Sequence, residues 1–460
     1  MDKSTPVKRN KAQKAVQFMI YFIIALYPLL LFRIDLGGLQ IQSLVLLIAV
    51  MGVLLYSFLL IAEMGWAFKN QYHRVDLAVM ALAGYEFLRV IGKIFFAVGK
   101  SAVSYDWEVM ILSMAAVYLL CCVNSVFDKT YFDIPVFAGL VVFGGLLFHD
   151  LCGSEADGML AVLLEDSCRT ASYTLLICTI SLYQYCRCKD RMKSYFYAGA
   201  SLVGYFVLFL NHNMVSIWLM ALVFIVLPVW LRPTAELIRR DMQLFFGYLF
   251  LLSNMSLITG YTNLVRAEVS FSLEQSVYLD LLLAAGGVWF FHSWEKLPKD
   301  MDPGRLVLRK MKRGYQFLLK TMLIVFAGVL IGGRHWENLP EDGMAGSALK
   351  RGAILLVEEV QREKGFFYTA VAEQGVSGGL LILILCSLVI GRLWKNYSYD
   401  KPDTGFMILL SLLFFVQLLF WKAGINTLPV YFVYVVLATT YKEEREKVTS
   451  TKIKLEQEEN

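Results

Sequence analysis

Apolar runs of roughly 18 or more residues recur along most of this chain, and that recurrence restricts its possible folds more than any other feature. A run of this length crosses the hydrocarbon layer as a helix, because in lipid every backbone N–H and C=O must be satisfied within the segment. A membrane β-barrel would instead show alternating apolar and polar residues in segments of about ten. With 58% hydrophobic and 18% charged residues, the chain has more apolar surface than a soluble domain can bury. The expected fold class is all-α, a polytopic transmembrane helix bundle of about 14 spans. They fall near 15–33, 40–62, 76–98, 107–127, 132–150, 170–186, 194–211, 213–231, 243–261, 276–294, 317–333, 370–392, 405–421 and 426–440.

Charge sets the expected orientation. With the N-terminus inside, about 30 of the 43 Lys/Arg fall in cytoplasmic segments and about 10 outside, as the positive-inside rule requires. The stretches "RCKDRMK" (187–193), "RPTAELIRRDM" (232–242) and "KLPKDMDPGRLVLRKMKRGYQ" (296–316) then lie inside, as do both tails, 1–14 and 441–460. The basic start precedes a long apolar segment without a small-residue cleavage site, which reads as a cytoplasmic tail and first span. The net charge of +5 is thus a matter of topology and anionic lipid, with no nucleic-acid partner implied.

The eight cysteines form no CxxC pair and no ligand spacing with histidine, so no metal site is expected. Cys121, Cys122, Cys178 and Cys386 lie in apolar runs as small core residues. Cys152 and Cys168 share the external loop 151–169, where they are either a disulfide or two thiols.

The external loop 334–369 is the longest and most polar. Its first part, "GGRHWENLPEDGMAGS", is turn-rich. "ALKRGAILLVEEVQREK" then places Leu349, Ala353, Leu356, Val357 and Val360 at helical spacing, an amphipathic helix suited to a membrane surface. Within the spans, Glu86, Arg89 and Lys93 share one face of the third. They form either a polar groove for a lipid-linked head group or a self-satisfying pair packed against its neighbours. Asn211, His212 and Asn213 read as a polar cap between two spans, and His292 lies near the cytoplasmic end of the tenth.

Three stretches carry a resemblance. Asp302-Pro303 followed by Gly314-Tyr315-Gln316 is similar to a "DP…GYQ" pattern, "GFFYTAVAEQG" (365–375) to "DFIFAVIAEExG", and "GINTLPVYFVY" (424–434) to "GIPLPFISYGG". In order and spacing these resemble the SEDS family (shape, elongation, division and sporulation; the FtsW/RodA/SpoVE type). The resemblance covers roughly the last 170 residues. It implies four extra N-terminal helices within 15–150 and a SEDS-like core over 151–440. "AVAEQGVSGGLL" is also similar to the loop end of O-antigen ligases and polymerases, and a transporter is a third class to weigh.

The resemblance implies glycosyl transfer from a polyprenyl-pyrophosphate-linked glycan of the lipid II type, at the outer face of the bacterial cytoplasmic membrane. A non-catalytic relative acting in cell division or shape is the other form of the same reading. A class B penicillin-binding protein is the implied partner. Such chemistry needs cations for the pyrophosphate, a carboxylate for the attacking hydroxyl and an apolar groove for the prenyl tail. Arg334, His335, Lys350, Arg351, Arg362 and Lys364 supply the first, and Phe366, Phe367 and Tyr368 with the amphipathic helix the third. The family's catalytic aspartate aligns with Gly365, which assigns the carboxylate to Glu363, with Glu358, Glu359, Glu341 and Asp342 as further candidates. Glu373 is expected to turn inward and pair with a cation such as Arg334 or Lys422. Gln316, Gly375 and Pro429 are motif positions, and Gly378 and Gly379 permit a close helix approach. The resemblance fixes no cofactor; a divalent cation would suit a pyrophosphate leaving group, although the sequence shows no ligand set.

Overall fold

The computed structural model describes residues 5–29, 41–64, 73–96, 105–124, 128–152, 167–211, 213–231, 234–261, 273–295, 366–397, 402–420 and 428–440. Among these, every regular element is a helix. In chain order they are α1 (Thr5–Tyr21), continued by a π turn (Phe22–Leu26) and a 3-10 turn (Tyr27–Leu29), then α2 (Ile41–Met64), α3 (Arg74–Phe96), α4 (Asp106–Asn124) and α5 (Thr130–Cys152). After these come α6 (Ser167–Arg187), α7 (Arg191–Leu210), α8 (Met214–Trp230), α9 (Ala235–Tyr261) and α10 (Leu273–Glu295). The last three are α11 (Phe366–Asn396), α12 (Pro402–Phe420) and α13 (Leu428–Thr440). These helices coincide with thirteen of the expected apolar segments; the remaining one, 317–333, lies outside the described residues.

Three stretches, Thr130–Leu151, Arg191–Leu210 and Ser377–Asn396, are long and apolar enough to cross a membrane. Phe95, Phe148, Trp289 and Trp394 are each at least 70% exposed. A soluble chain rarely presents so many large apolar side chains, and here lipid is their natural solvent. The chain is a helical membrane protein.

The helices group into two compact units. One comprises residues 1–138, 366–419 and 423–460; the other comprises 139–365 and 420–422. In the first, α1 packs on α2 and α4, α4 on α2, α3 and α13, and α11 on α3 and α13. Its core is aromatic. Phe132 lies edge-on to Phe406 and stacked with Tyr434, and Phe414 stacks on Tyr431. The polar ends of these rings are satisfied inside the unit, as burial demands. The Tyr434 hydroxyl donates to the Tyr131 carbonyl at 2.8 Å, and Gln417 Nε2 donates to the Tyr431 hydroxyl at 2.9 Å. Asn396 Nδ2 reaches the carbonyls of Ala438 (3.1 Å) and Thr439 (3.2 Å), which occupies acceptors that the end of α13 leaves free. Pro429 is buried in the first turn of α13, where its missing N–H costs no helical bond.

In the second unit α6 packs against α7, α8 and α9, and α10 lies on α9. A Cβ on Gly204 would stand 2.6 Å from Cys178 Sγ, so a glycine is what lets α7 lie this close to α6. Tyr205, Phe209, Phe224 and Tyr248 form the aromatic core, with the Tyr248 hydroxyl donating to the Ile217 carbonyl at 2.8 Å. Asp190 caps α7 through Met192 N (3.0 Å), and Asn213 caps α8 through Ser216 N (3.0 Å). The expected polar cap at 211–213 is therefore met by Asn213. His212 lies outside the described residues, and His292 is exposed in the last turn of α10. Of the four expected core cysteines, Cys121 and Cys178 are fully buried, whereas Cys122 and Cys386 are half-buried. The side chains of Cys152 and Cys168 lie outside the described residues.

Candidate functional site

The most heavily charged buried place among the described residues lies in the first unit, on α3 and α4. Local sequence explains both helices. The Asp76 carboxylate reaches back to accept from His73 N (2.8 Å), closing the first turn of α3, and Lys93 sits in its last turn where a cation suits the helix dipole. Asp106 and Glu108 occupy the first turn of α4, where negative charge is favoured. Packing of α3 on α4 then brings the charged face of α3 onto Glu108. Lys93 Nζ lies 2.7 Å and an Arg89 guanidinium nitrogen 3.2 Å from Glu108 Oε1, while Arg89 stands 3.7 Å from Glu86 Oε2. The Lys93 ammonium also lies 5.6 Å from the centre of the Tyr105 ring.

The four groups are not equivalent. Glu86 and Glu108 are 0% and 1% exposed, whereas Arg89 and Lys93 keep 20% and 26% of their side-chain surface. Glu108 has two close cations and stands in the first turn of α4. Glu86 has the one longer ion pair, and none of the oxygens of Glu86 or Glu108 takes a hydrogen bond among the described residues. The arrangement is thus two buried carboxylates and two part-exposed cations, with Glu108 in two close ion pairs and Glu86 in one longer one. A phosphate reaching the exposed part of this group would meet both cations, which can donate to it while remaining paired to Glu108.

α3 is also pinned to α11. The Tyr85 hydroxyl and Ser377 Oγ are 2.9 Å apart, and Arg392 lies 3.0 Å from His73 Nδ1, which accepts. At the far end of α3 from Lys93, the Tyr118 hydroxyl donates to Asp76 Oδ1 at 2.6 Å. α11 is not continuous. Gly375 has φ 74° and ψ 174°, a conformation essentially reserved for glycine, and it breaks the helix two residues before Ser377. A Cβ there would meet nothing within 4 Å, so glycine is required for the backbone angle alone. Gly378 and Gly379 are buried directly after the break.

The sequence-assigned residues distribute unevenly over this picture. Glu86, Arg89 and Lys93 come together as their spacing suggested, but they close on Glu108 instead of forming an isolated pair. Gly375 and Pro429 lie in α11 and α13 of the same unit. Glu373 is on the helical segment before the break, with its side chain outside the described residues. Gln316, Arg334, His335, Lys350, Arg351, Arg362, Glu363, Lys364 and Lys422 all lie outside the described residues. So do Glu341, Asp342, Glu358, Glu359 and the amphipathic helix of the loop, whereas Phe366, Phe367 and Tyr368 start α11 with their side chains outside the described residues.

Two residues were not singled out in the sequence. Glu108 reads there as an ordinary first-turn acid, and only α3 packing gives it partners. Asp241 stands in a basic stretch, "ELIRRDM", ahead of the apolar part of α9 that begins near Gln243. Its neighbours divide: Glu236 takes Arg239 (3.0 Å) and Arg240 (2.7 Å), and Arg240 also donates to the carbonyls of Tyr185 and Cys188. The Arg239 hydrogen bonds, aided by those of Arg240, hold the Glu236 carboxyl below its usual range. Asp241 is fully buried, neither oxygen has a hydrogen-bond partner among the described residues, and burial pushes its carboxyl well above the usual range.

Comparison with protein-family models, curated proteins and solved structures gives no match. No cluster of three or more His, Cys, Asp or Glu suited to a metal ion occurs among the described residues.

Proposed function

We propose that this chain is a divergent SEDS-type cell-wall assembly protein, a multi-pass protein of the bacterial cytoplasmic membrane that engages a polyprenyl-pyrophosphate-linked glycan at the outer face. The observation carrying this reading is the adjacency of the four-charge group on α3 and α4 to the break in α11, the helix that bears the family-like "AVAEQG" stretch. Tyr85, next to Glu86, holds Ser377 across 292 residues of sequence. Charges at this depth are expensive and are retained where a polar ligand needs them. Arg89 and Lys93 then take an anionic head group, with Glu108 as their resting counter-charge.

The reaction follows from the resemblance. A hydroxyl of the acceptor sugar attacks the anomeric carbon of the donor and the bond to polyprenyl pyrophosphate breaks. The hydroxyl proton passes to a carboxylate, and the pyrophosphate leaves with its negative charge held by cations. Glu363 is the proposed carboxylate. Arg334, His335, Lys350, Arg351, Arg362 and Lys364 are the proposed head-group cations of the loop, Glu373 is the proposed inward acid of α11, and a class B penicillin-binding protein is the proposed partner.

A second reading is favoured by one feature. A helix broken at Gly375 beside buried charges is also how many transporters build a substrate site. One assay separates the two. Labelled lipid II is given to the protein in proteoliposomes, with and without a co-expressed transpeptidase, and both polymer and movement of the label across the bilayer are followed. Polymer from the wild type, lost in Glu363→Ala and formed with raised KM in Arg89→Gln, supports the polymerase reading. Label that crosses unpolymerised supports transport. Neither polymer nor movement overturns both and points to a non-catalytic role.

A further inference from the structure

The buried face of α9 carries one acid that the reading above leaves unused. Leu237, Asp241, Leu244 and Tyr248 follow one another at steps of four, three and four residues, with Ile238 beside them, and so form a single stripe along the helix. All five are buried, Asp241 completely. The pattern therefore places a carboxyl where a core-facing helix normally carries an aliphatic side chain. α9 packs on α6, α7, α8 and α10, and few ionisable groups on these helices face Asp241. Cys186 of α6 and Tyr205 of α7 lie within its electrostatic reach; both are buried, and a thiol and a phenol are uncharged at neutral pH. α8 has no ionisable residue. On α10, Asp280 is tied to Ser253 and Asn254 further along α9, and His292 is exposed.

The cations beside it in sequence are engaged elsewhere. Arg239 donates to both oxygens of Glu236, at 3.0 Å each. Arg240 donates to Glu236 Oε1 at 2.7 Å, to the Tyr185 carbonyl at 2.9 Å and to the Cys188 carbonyl, which ties the start of α9 to the end of α6 and the turn after it. Neither guanidinium reaches either oxygen of Asp241. Ionised, Asp241 would be a whole charge without a donor in the interior. A proton removes that penalty, and burial pushes the carboxyl well above its usual range. The same geometry shows what would take up the charge if the proton left. Arg240 is the next residue along the chain, and its guanidinium already bridges Glu236 and the α6 carbonyls. We propose that Asp241 is a proton-binding site coupled to the α6–α9 contact: it holds a proton while Arg240 clasps the Tyr185 and Cys188 carbonyls, and gives it to water as Arg240 leaves them to pair with the carboxylate. The O–H bond of the acid is the one broken, and Arg240 stays charged throughout.

The test uses the full chain purified in detergent. At neutral pH the infrared difference between wild type and Asp241→Asn should contain the carbonyl band of a protonated carboxyl, and that band should fade as pH rises. Over the same range, hydrogen exchange of residues 235–241, corrected for its intrinsic pH dependence, should quicken about tenfold or more in the wild type and stay level in Asp241→Asn. If Asp241→Asn does not fold, the wild type alone decides the matter. An apolar carbodiimide, which reacts with protonated carboxyls, should label Asp241 in preference to Glu236 at neutral pH, as read by peptide mass. Its rate should fall about tenfold per pH unit above the titration midpoint. Absence of the band, or of the label where the variant does not fold, would overturn the proposal. So would a titration that leaves exchange at the start of α9 unchanged, because the proton would then be uncoupled from the clasp. None of these readouts uses a glycan donor, so the outcome is independent of the reading above.

Discussion

Replacing Glu108 by glutamine removes one charge while keeping shape and an acceptor, and the geometry fixes what should follow. At an effective dielectric of about 20, the 2.7 Å contact to Lys93 and the 3.2 Å contact to Arg89 correspond to roughly 6 and 5 kcal/mol of attraction. Desolvation of the three ions, several kcal/mol each, opposes this. Removing one partner from a fully buried pair costs about 3–5 kcal/mol, because the other charge is left uncompensated. Here Arg89 and Lys93 are 20% and 26% exposed, so water relieves part of that penalty. We expect Glu108→Gln to cost about 2–3 kcal/mol. Glu86→Gln is the control. Its ion pair with Arg89 is the longer one, at 3.7 Å, so neutralising it should change stability by less than about 1 kcal/mol or raise it. The assay is reversible unfolding of both variants in mixed micelles, with denaturing detergent titrated and helicity followed. A cycle with Lys93→Met should return a coupling of about 1–2 kcal/mol. If Glu86→Gln costs as much as Glu108→Gln, the unequal roles assigned to the two carboxylates are refuted.

Further predictions concern two titrating acids and a backbone angle. Folding raises the Asp241 pKa above its unfolded value, so this group's contribution is fully present below the unfolded pKa and is lost as pH rises through the folded one. Asp241→Asn should therefore leave the protein at least as stable as wild type at neutral pH and flatten its pH–midpoint curve; a marked loss at neutral pH would show that the carboxylate is needed ionised. Glu236 has the opposite sign, its contribution falling away as pH drops through its lowered folded value, but at 50% exposure the effect should be small. Gly375→Ala meets no steric obstacle and must still adopt φ 74°, so it should cost about 1–3 kcal/mol in the same detergent titration, and an unchanged or higher stability would mean that the break in α11 is not held by this glycine.

Much of the helix inventory was legible in the sequence, because lipid leaves the backbone few options. Boundaries were less so, since apolarity marks the span whereas hydrogen bonding marks the helix. α9 begins at Ala235, eight residues before the expected span, because Thr234 Oγ1 accepts from Leu237 N (3.2 Å) and a polar, charged turn continues the same helix. α11 likewise runs from Phe366 to Asn396, past both ends of the expected 370–392. Glu86, Arg89 and Lys93 were visible as a site because charge in an apolar run stands out. Glu108 was not, because an acid at a helix start is ordinary, and Asp241 was passed over as a single acid in a basic stretch.

The sequence by itself determined that this is a helical membrane protein, where the helices fall, and that α3 carries charge on one face. Those features depend on local composition and on a period of 3.6 residues. Only the tertiary structure decided that α11 to α13 join the N-terminal helices in one unit, that α3 faces Glu108 on one side and Ser377 on another, and that α11 is broken at Gly375. The physical reason is that Leu, Val and Phe look alike to lipid and to a neighbouring helix. No hydrophobic pattern selects which faces meet; shape and a few polar contacts do. Tyr434 on the Tyr131 carbonyl and Tyr85 on Ser377 are such contacts, and each joins residues about 300 positions apart.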